Sequence, residues 1–172
     1  MSLGCVLHAL THLPPSTRAL AIDAYGPAVA ALRRTAEANG LQQQLAVVEK
    51  FICLDATRRY AVNLMATGPT LLQPAWREAS DSQLAGAAEC GSLEAVFQQQ
   101  GVSQVDLLRI HVLGREADAL RSGERFFASG QVKQVAATVS QSSVDPGGMA
   151  LMLYRAWEEI ENISTYIIID FI

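Results

Sequence analysis

Several features that are common in nucleic-acid-binding and membrane proteins are missing from this sequence. Its 13 Lys and Arg against 17 Asp and Glu give a net charge of −4, and the basic residues cluster no further than Arg33-Arg34 and Arg58-Arg59. This balance argues against DNA or RNA as a partner, because phosphate binding requires basic clusters. No apolar run reaches the ~18 residues of a membrane helix. The N-terminus lacks the basic stretch of a signal peptide.

The cysteine and histidine patterns match no common disulfide or metal motif. Cys5, Cys53 and Cys90 are odd in number and far apart, so the sequence predicts neither a disulfide framework nor a CxxC metal site. It therefore favours a reducing, cytoplasmic compartment. His8 and His12 are four residues apart without a third ligand nearby, so no metal site is predicted. GxSxG, P-loop and GxGxxG motifs are also missing.

What the sequence does contain is an alternation of strand-like and helix-like segments. Its 172 residues, 50% of them hydrophobic, have the size of one globular domain, predicted over residues 1–172. Strands are predicted at 18–25, 44–55, 59–67, 105–114, 132–140 and 167–172. Helices are predicted at 5–13, 27–40, 92–101, 115–129 and 147–162, and residues 68–91 are predicted to be mostly loop. The alternation predicts an α/β fold with a mostly parallel sheet.

Two segments carry a resemblance to a known family. VDLLRIHVLGRE at 105–116, preceded by SLEAVFQQQG and followed by ALRSG, resembles the signature region of the FkbM family of S-adenosylmethionine-dependent methyltransferases. ALAIDAYGPAVAALRRTAEANGL at 19–41 resembles the second strand and helix of that family. The similarity covers about residues 18–140.

The resemblance implies a Rossmann-like, doubly wound, mostly parallel sheet of the class I methyltransferase type. It also implies S-adenosylmethionine as the cofactor and transfer of its methyl group to an oxygen atom of a small molecule or sugar. Nucleic acid and membrane are not expected as partners, and a homo-oligomer is left open.

Three residues near predicted strand ends are candidate contacts for the cofactor. In doubly wound sheets, ligands bind at the carboxyl ends of the strands, and an acid there can accept hydrogen bonds from the ribose hydroxyls. Asp23 has this position; the alternatives are a solvated strand end or a cap of the following helix. Tyr25 can face the adenine or serve only in packing. Asp55 can accept from the adenine amine or be an ordinary turn residue.

Two residues near the end of the strand predicted at 105–114 are candidates for the acceptor side. His111 can act as a general base that removes the proton of an acceptor hydroxyl, since imidazole changes its charge near neutral pH. The alternative is a neutral histidine packed at a strand end. Glu116 can hold the acceptor or a metal, or simply stabilise the positive end of the following helix.

The sequence departs from the family at three places, one of which is the strand predicted at 132–140, where only Thr138 and Ser140 stand in place of a glutamate. HVLG stands where the family reads DVEG, so His111 and Leu113 replace two carboxylates. A first strand and a glycine-rich loop are expected before Arg18, where Gly4 is the only glycine. That strand is central in the family's sheet. Either residues 4–12 form it, or the two half-sheets pair directly, or the chain is a fragment and the fold is incomplete.

These departures support hypotheses other than an active methyltransferase. The main alternative is a catalytically inactive methyltransferase-like scaffold, or a fragment, with a role in binding or assembly. An NAD-type binding protein shares the acid after a strand but lacks GxGxxG, so this hypothesis ranks last.

Overall fold

The fold is an α/β arrangement, seen in a computed structural model. The structure describes Leu7 and residues 10–66, 72–80, 87–112, 115–137 and 165–170, and for 62–66, 72–76 and 165–170 the description is of the backbone. The strands are β1 Arg18–Asp23, β2 Leu45–Glu49, β3 Phe51–Ile52, β4 Arg59–Ala66, β5 Leu72–Glu78, β6 Ala88–Gly91, β7 Val105–His111, β8 Val132–Ala137 and β9 Thr165–Asp170. The helices are α1 Gly26–Ala38, α2 Leu93–Gln99, α3 Glu116–Arg121 and α4 Glu124–Ala128.

These strands form two sheets. Five of them make a parallel sheet in the order β2-β1-β9-β7-β8. The other four make a mixed sheet in the order β3-β6-β4-β5, in which β4 is antiparallel to both neighbours and β3 is parallel to β6. The predicted α/β class is therefore confirmed, and its larger sheet is parallel.

The last described strand occupies the centre of the parallel sheet. β9 pairs with β1 on one side, where Ile22 lies opposite Ile169. On the other side it pairs with β7, where His111 lies opposite Asp170. The apolar C-terminal segment, predicted as a strand, thus supplies hydrogen-bonding partners to both neighbours.

This position of β9 corrects the expectation about the centre of the sheet. Leu7 and residues 10–12, the part of 4–12 that the structure describes, are helical, and β9 lies in the central place. The two half-sheets do not pair directly, because β1 and β7 each pair with β9. The central strand was expected before Arg18. It is instead β9, which comes more than 140 residues later in the chain.

Apolar side chains of β1 are buried on both faces of the parallel sheet. Ala19 and Ala21 belong to one hydrophobic cluster, together with residues of α1. Leu20 and Ile22 belong to a larger cluster, together with residues of α2, α3 and β7. Because successive side chains of a strand point to opposite faces, helices cover the sheet on both sides. This explains why β1 reads as a continuous apolar run.

Two predictions are wrong where the chain enters the second sheet. The strand predicted at 44–55 is two strands, because the chain pairs with β1 up to Glu49 and with β6 from Phe51 onward. The loop predicted at 68–91 contains β5 and β6. Pro and small residues interrupt the apolar pattern there, so the sequence shows no strand period.

The helix predicted at 115–129 is divided into α3 and α4 around Ser122. The buried Ser122 hydroxyl donates a hydrogen bond to the Ala119 carbonyl (2.7 Å) and accepts one from the Leu93 N–H (3.0 Å). It thereby links the end of α3 to the first turn of α2. The helix predicted at 147–162 lies outside the described residues. The remaining predicted strands and helices are confirmed over the residues that the structure describes, which for the helix predicted at 5–13 are Leu7 and residues 10–13, helical up to 12.

Cys53 and Cys90 are joined by a disulfide, so the expectation of unpaired cysteines is wrong for these two. Both residues are buried, and their Cα atoms are 5.7 Å apart, an ordinary separation for a disulfide. They are 37 residues apart in sequence, and the parallel pairing of β3 with β6 brings them together. Spacing along the chain gives no sign of this pairing. Cys5 lies outside the described residues.

Candidate functional site

Three strands of the parallel sheet end, at the same edge, in an aspartate or a histidine. Asp23 ends β1, His111 ends β7, and Asp170 ends β9 between them. All strands of this sheet are parallel, so their carboxyl ends share an edge, which we call the carboxyl edge. Ligands of open parallel α/β sheets bind at such an edge. The topology thus brings together two residues that the sequence analysis selected separately, Asp23 and His111.

Asp23 shapes the turn between β1 and α1. It is fully buried (0% exposed), and its Oδ1 accepts a hydrogen bond of 2.7 Å from the Tyr25 N–H. Tyr25 is half-buried and is the N-cap residue of α1, and its carbonyl accepts hydrogen bonds from the N–H groups of Ala28 and Val29. Asp23 is therefore not a solvated strand end, and its carboxylate fixes the backbone that begins the helix.

Glu49 is a second acid at the carboxyl edge, and the sequence analysis missed it. It lies opposite Asp23 in the pairing of β1 with β2, and it is exposed. Its carboxylate lies beside Gly26, where an added Cβ would be 3.1 Å from Glu49 Oε1. The N–H of the next residue, Lys50, donates to the Asp23 carbonyl (3.0 Å). The available signal is the charged pair Glu49-Lys50 inside an otherwise apolar run.

Asp55 lies in an exposed loop that follows β3. Its Oδ1 accepts hydrogen bonds from the Thr57 N–H (3.0 Å) and the Thr57 hydroxyl (2.6 Å). Its Oδ2 is 3.5 Å from Arg58 Nε. The Thr57 hydroxyl is the main cause that lowers the pKa of Asp55, with the Thr57 N–H and Arg58 adding to it. Asp55 is therefore an exposed, ionised carboxylate at neutral pH.

Tyr60 connects the Asp55 loop to the start of α3. Its buried ring stacks on Phe51 with the ring centroids 4.1 Å apart. The Arg115 guanidinium lies over the same ring, 5.4 Å from its centroid. The Tyr60 hydroxyl is also the main cause that raises the pKa of Arg58. Tyr60 thus interacts with Arg115, which precedes Glu116, and with Arg58 of the loop that holds Asp55.

The two acceptor-side candidates differ in exposure. His111 is half-buried at the end of β7. Glu116 is fully buried (0% exposed) as the first residue of α3, where a carboxylate interacts favourably with the helix N-terminus. A ligand from solvent would reach His111 more readily than Glu116. Leu113 and Gly114, between them, lie outside the described residues.

The groove found among the described residues does not lie at the carboxyl edge. A groove of about 220 Å³, lined in part by Arg18, Gln44 and Gln100, lies at the opposite, amino edge of the sheet. Within the described ranges no group of three or more His, Cys, Asp or Glu side chains is arranged to hold a metal ion. His12 is exposed, and His8 lies outside those ranges.

Comparisons with protein-family models, with curated proteins and with solved structures found no match. The resemblance to the FkbM family therefore stays a prediction from the sequence. In the part of the chain that the structure describes, no helix is long and apolar enough to cross a membrane.

Proposed function

We propose that this chain is a Rossmann-like, class I methyltransferase domain of the FkbM type. In this proposal it binds S-adenosylmethionine at the carboxyl edge and transfers the methyl group to an oxygen atom of a small molecule or sugar. The observation that carries the proposal is the position of Asp23, an acid at the carboxyl end of a parallel strand next to the central strand. Helices on both faces of the sheet support the doubly wound fold.

The two acids at the ends of β1 and β2 are assigned to the ribose side. Glu49 is exposed and can accept a hydrogen bond from a ribose hydroxyl directly. Asp23 is buried, so it contacts the ribose after the turn at Tyr25 and Gly26 moves. Asp55, exposed and ionised, is assigned to the adenine amine.

Methyl transfer requires alignment of the acceptor with the sulfonium carbon. The acceptor oxygen forms a bond to the methyl carbon while the bond from that carbon to sulfur breaks, and S-adenosylhomocysteine leaves. The hydroxyl proton passes to a base. His111 is assigned this role because it ends β7 at the carboxyl edge and remains partly exposed. The buried Glu116 is assigned to holding the start of α3 near the acceptor.

An inactive scaffold with a binding or assembly role is the second candidate function. The observation that favours it is the complete burial of both Asp23 and Glu116, which leaves neither carboxylate open to a ligand in this conformation. On this account the acids serve the fold, and the carboxyl edge binds no cofactor.

Titration calorimetry with S-adenosylhomocysteine distinguishes the two candidates. For the methyltransferase we expect a Kd in the micromolar range, about −8 kcal/mol of binding free energy. Glu49→Gln is expected to weaken binding, whereas Glu37→Gln, an exposed acid on α1, is the matched control and leaves it unchanged. His111→Ala is expected to keep the affinity within about twofold, since its assigned role is in proton transfer. A folded chain that gives no binding heat overturns the proposal in favour of the scaffold.

A further inference from the structure

We propose that Cys53 is a thiol–disulfide exchange site, at which a dithiol reductant opens the bond to Cys90 and releases the exposed loop at 54–58. This inference goes beyond the proposed function and does not depend on it. The loop carries Asp55 and Arg58. Its release therefore changes the ion pair between these two residues and the interaction of Arg58 with Tyr60.

The disulfide ties an exposed loop to the interior of the mixed sheet. Cys53 comes directly after β3, and its N–H donates to the Gly91 carbonyl at 3.1 Å. Cys90 lies in β6, which is paired on both sides, with β3 and with β4. The residue that follows β6, Ser92, caps α2 by accepting a hydrogen bond from the Ala95 N–H. The bond therefore connects the loop to a strand that is itself held by its neighbours and by α2.

The loop has contacts of its own that are mostly local. All of residues 54–58 are exposed, and Leu54 is 56% exposed, unusual for a large apolar side chain. Asp55 bonds to Thr57 and pairs with Arg58, so these contacts fold the loop on itself. The contacts that the structure gives between the loop and the mixed sheet include the exposed pair of Arg58 with Glu78, at 3.4 Å. Exposed ion pairs contribute little, so the disulfide is the strongest tie at the start of the loop.

The two cysteines are equally buried, so their surroundings decide which sulfur atom is attacked. Each cysteine is 5% exposed, but Cys53 directly precedes the exposed loop, whereas Cys90 lies in β6, an inner strand of the mixed sheet. A small movement of residues 54–58 opens a path to Cys53 Sγ, and local opening of exposed loops costs little free energy. Cys53 Sγ also lies 3.3 Å from the Asp55 carbonyl, so the sulfur borders the loop directly.

Exchange with a dithiol takes place in two steps. A thiolate of the dithiol attacks Cys53 Sγ, the bond between the two cysteines breaks, and Cys90 leaves as a thiolate that takes up a proton. The second thiol of the reductant then attacks its own sulfur in the mixed disulfide and releases Cys53, which is also protonated. Two electrons and two protons pass to the protein, and the reductant becomes a cyclic disulfide.

Hydrogen–deuterium exchange read by mass spectrometry tests the proposal on the full chain. Air-oxidised protein is compared with protein reduced by dithiothreitol. We expect amides at 54–58 to exchange at least about tenfold faster after reduction, while α1 is unchanged. The double variant Cys53→Ser/Cys90→Ser should show the fast exchange without reductant and no response to it. Cys5→Ser should behave like the unaltered protein.

Alkylation of free thiols supplies the independent check. Oxidised protein should gain one alkyl group, on Cys5, and fully reduced protein three. If the oxidised protein already gains three, the exchange site is refuted. Full reduction without faster exchange at 54–58 also refutes it, even if the double variant fails to fold, because the reduced protein carries the same test. No cofactor enters these measurements, so they stand apart from the calorimetry.

Discussion

Asp23 and Glu49 lie opposite each other at the ends of β1 and β2, yet Asp23 is fully buried and Glu49 is exposed. The difference arises because the Asp23 carboxylate turns back to the Tyr25 N–H, whereas the Glu49 carboxylate lies beside Gly26. One acid thus holds the backbone of the edge, and the other is available to a ligand.

Substitution of Asp23 should reduce stability through the Tyr25 turn. Asp23→Ala removes the acceptor of a hydrogen bond at a fully buried position, so we expect the free energy of unfolding to fall by about 1–3 kcal/mol. Asp23→Asn keeps an acceptor oxygen and should cost less. Urea denaturation followed by circular dichroism measures both, with exposed Glu49→Ala as the control, expected within about 0.5 kcal/mol. Equal losses for Ala and Asn would contradict this role of the hydrogen bond.

The central position of β9 predicts a large effect of proline in this strand. Ile168 lies opposite Ala21 of β1 and Arg109 of β7, so Ile168→Pro removes an N–H from a strand that is paired on both sides. We expect a loss of about 3 kcal/mol or more in the free energy of unfolding, or no folded protein. Ile168→Val keeps the N–H, so it is the control and should cost far less than the proline. A proline variant with the unaltered urea midpoint would show that β9 does not fill the centre.

Asp55 makes a pH-dependent contribution to the stability of the folded state, and its lowered pKa fixes the sign of that contribution. The ionised carboxylate is favoured in the folded state, so the stabilisation is present above the ordinary pKa of 3.8 and is lost as the pH falls through the lower folded-state value. Thr57→Val removes the hydroxyl that contributes most, so the pKa of Asp55 should rise toward 3.8. NMR titration of the Asp55 carboxyl carbon measures the midpoint. Thr35→Val, an exposed threonine on α1, is the control; a midpoint that Thr57→Val leaves unmoved would refute the assignment.

Local signals predicted the helix ends and the first strand of the parallel sheet well. Ser92 caps α2 as its position predicts, and Gly40 and Gly101, with φ of 69° and 66°, follow α1 and α2 as helix-stop residues. The continuous apolar run of β1 arises from burial inside a parallel sheet. These features depend on residues that are close in sequence, so they can be predicted from the sequence alone.

The parts that were missed depend on contacts between distant segments. A strand at the C-terminus can be recognised from its residues, but nothing in them shows that it pairs between β1 and β7. The Cys53–Cys90 bond likewise requires the pairing of β3 with β6. Glu49 was missed because the change of sheet at Lys50 is hidden in one apolar run, which moved the predicted strand end to Asp55. The order of the strands cannot be predicted from the local sequence pattern. The full set of acids at the carboxyl edge depends on that order, so it cannot be predicted either.

The central claim is that the carboxyl edge binds the S-adenosyl cofactor, and an NMR titration of the ¹⁵N-labelled chain with S-adenosylhomocysteine tests it most directly. The account predicts saturable shifts of the backbone amides of Ala24, Tyr25, Lys50 and Val112, which follow the ends of β1, β2 and β7. Amides at the amino edge, such as those of Gln44 and Gln100, should stay in place. Shifts confined to the amino edge, or a folded chain whose spectrum does not change, would contradict the account.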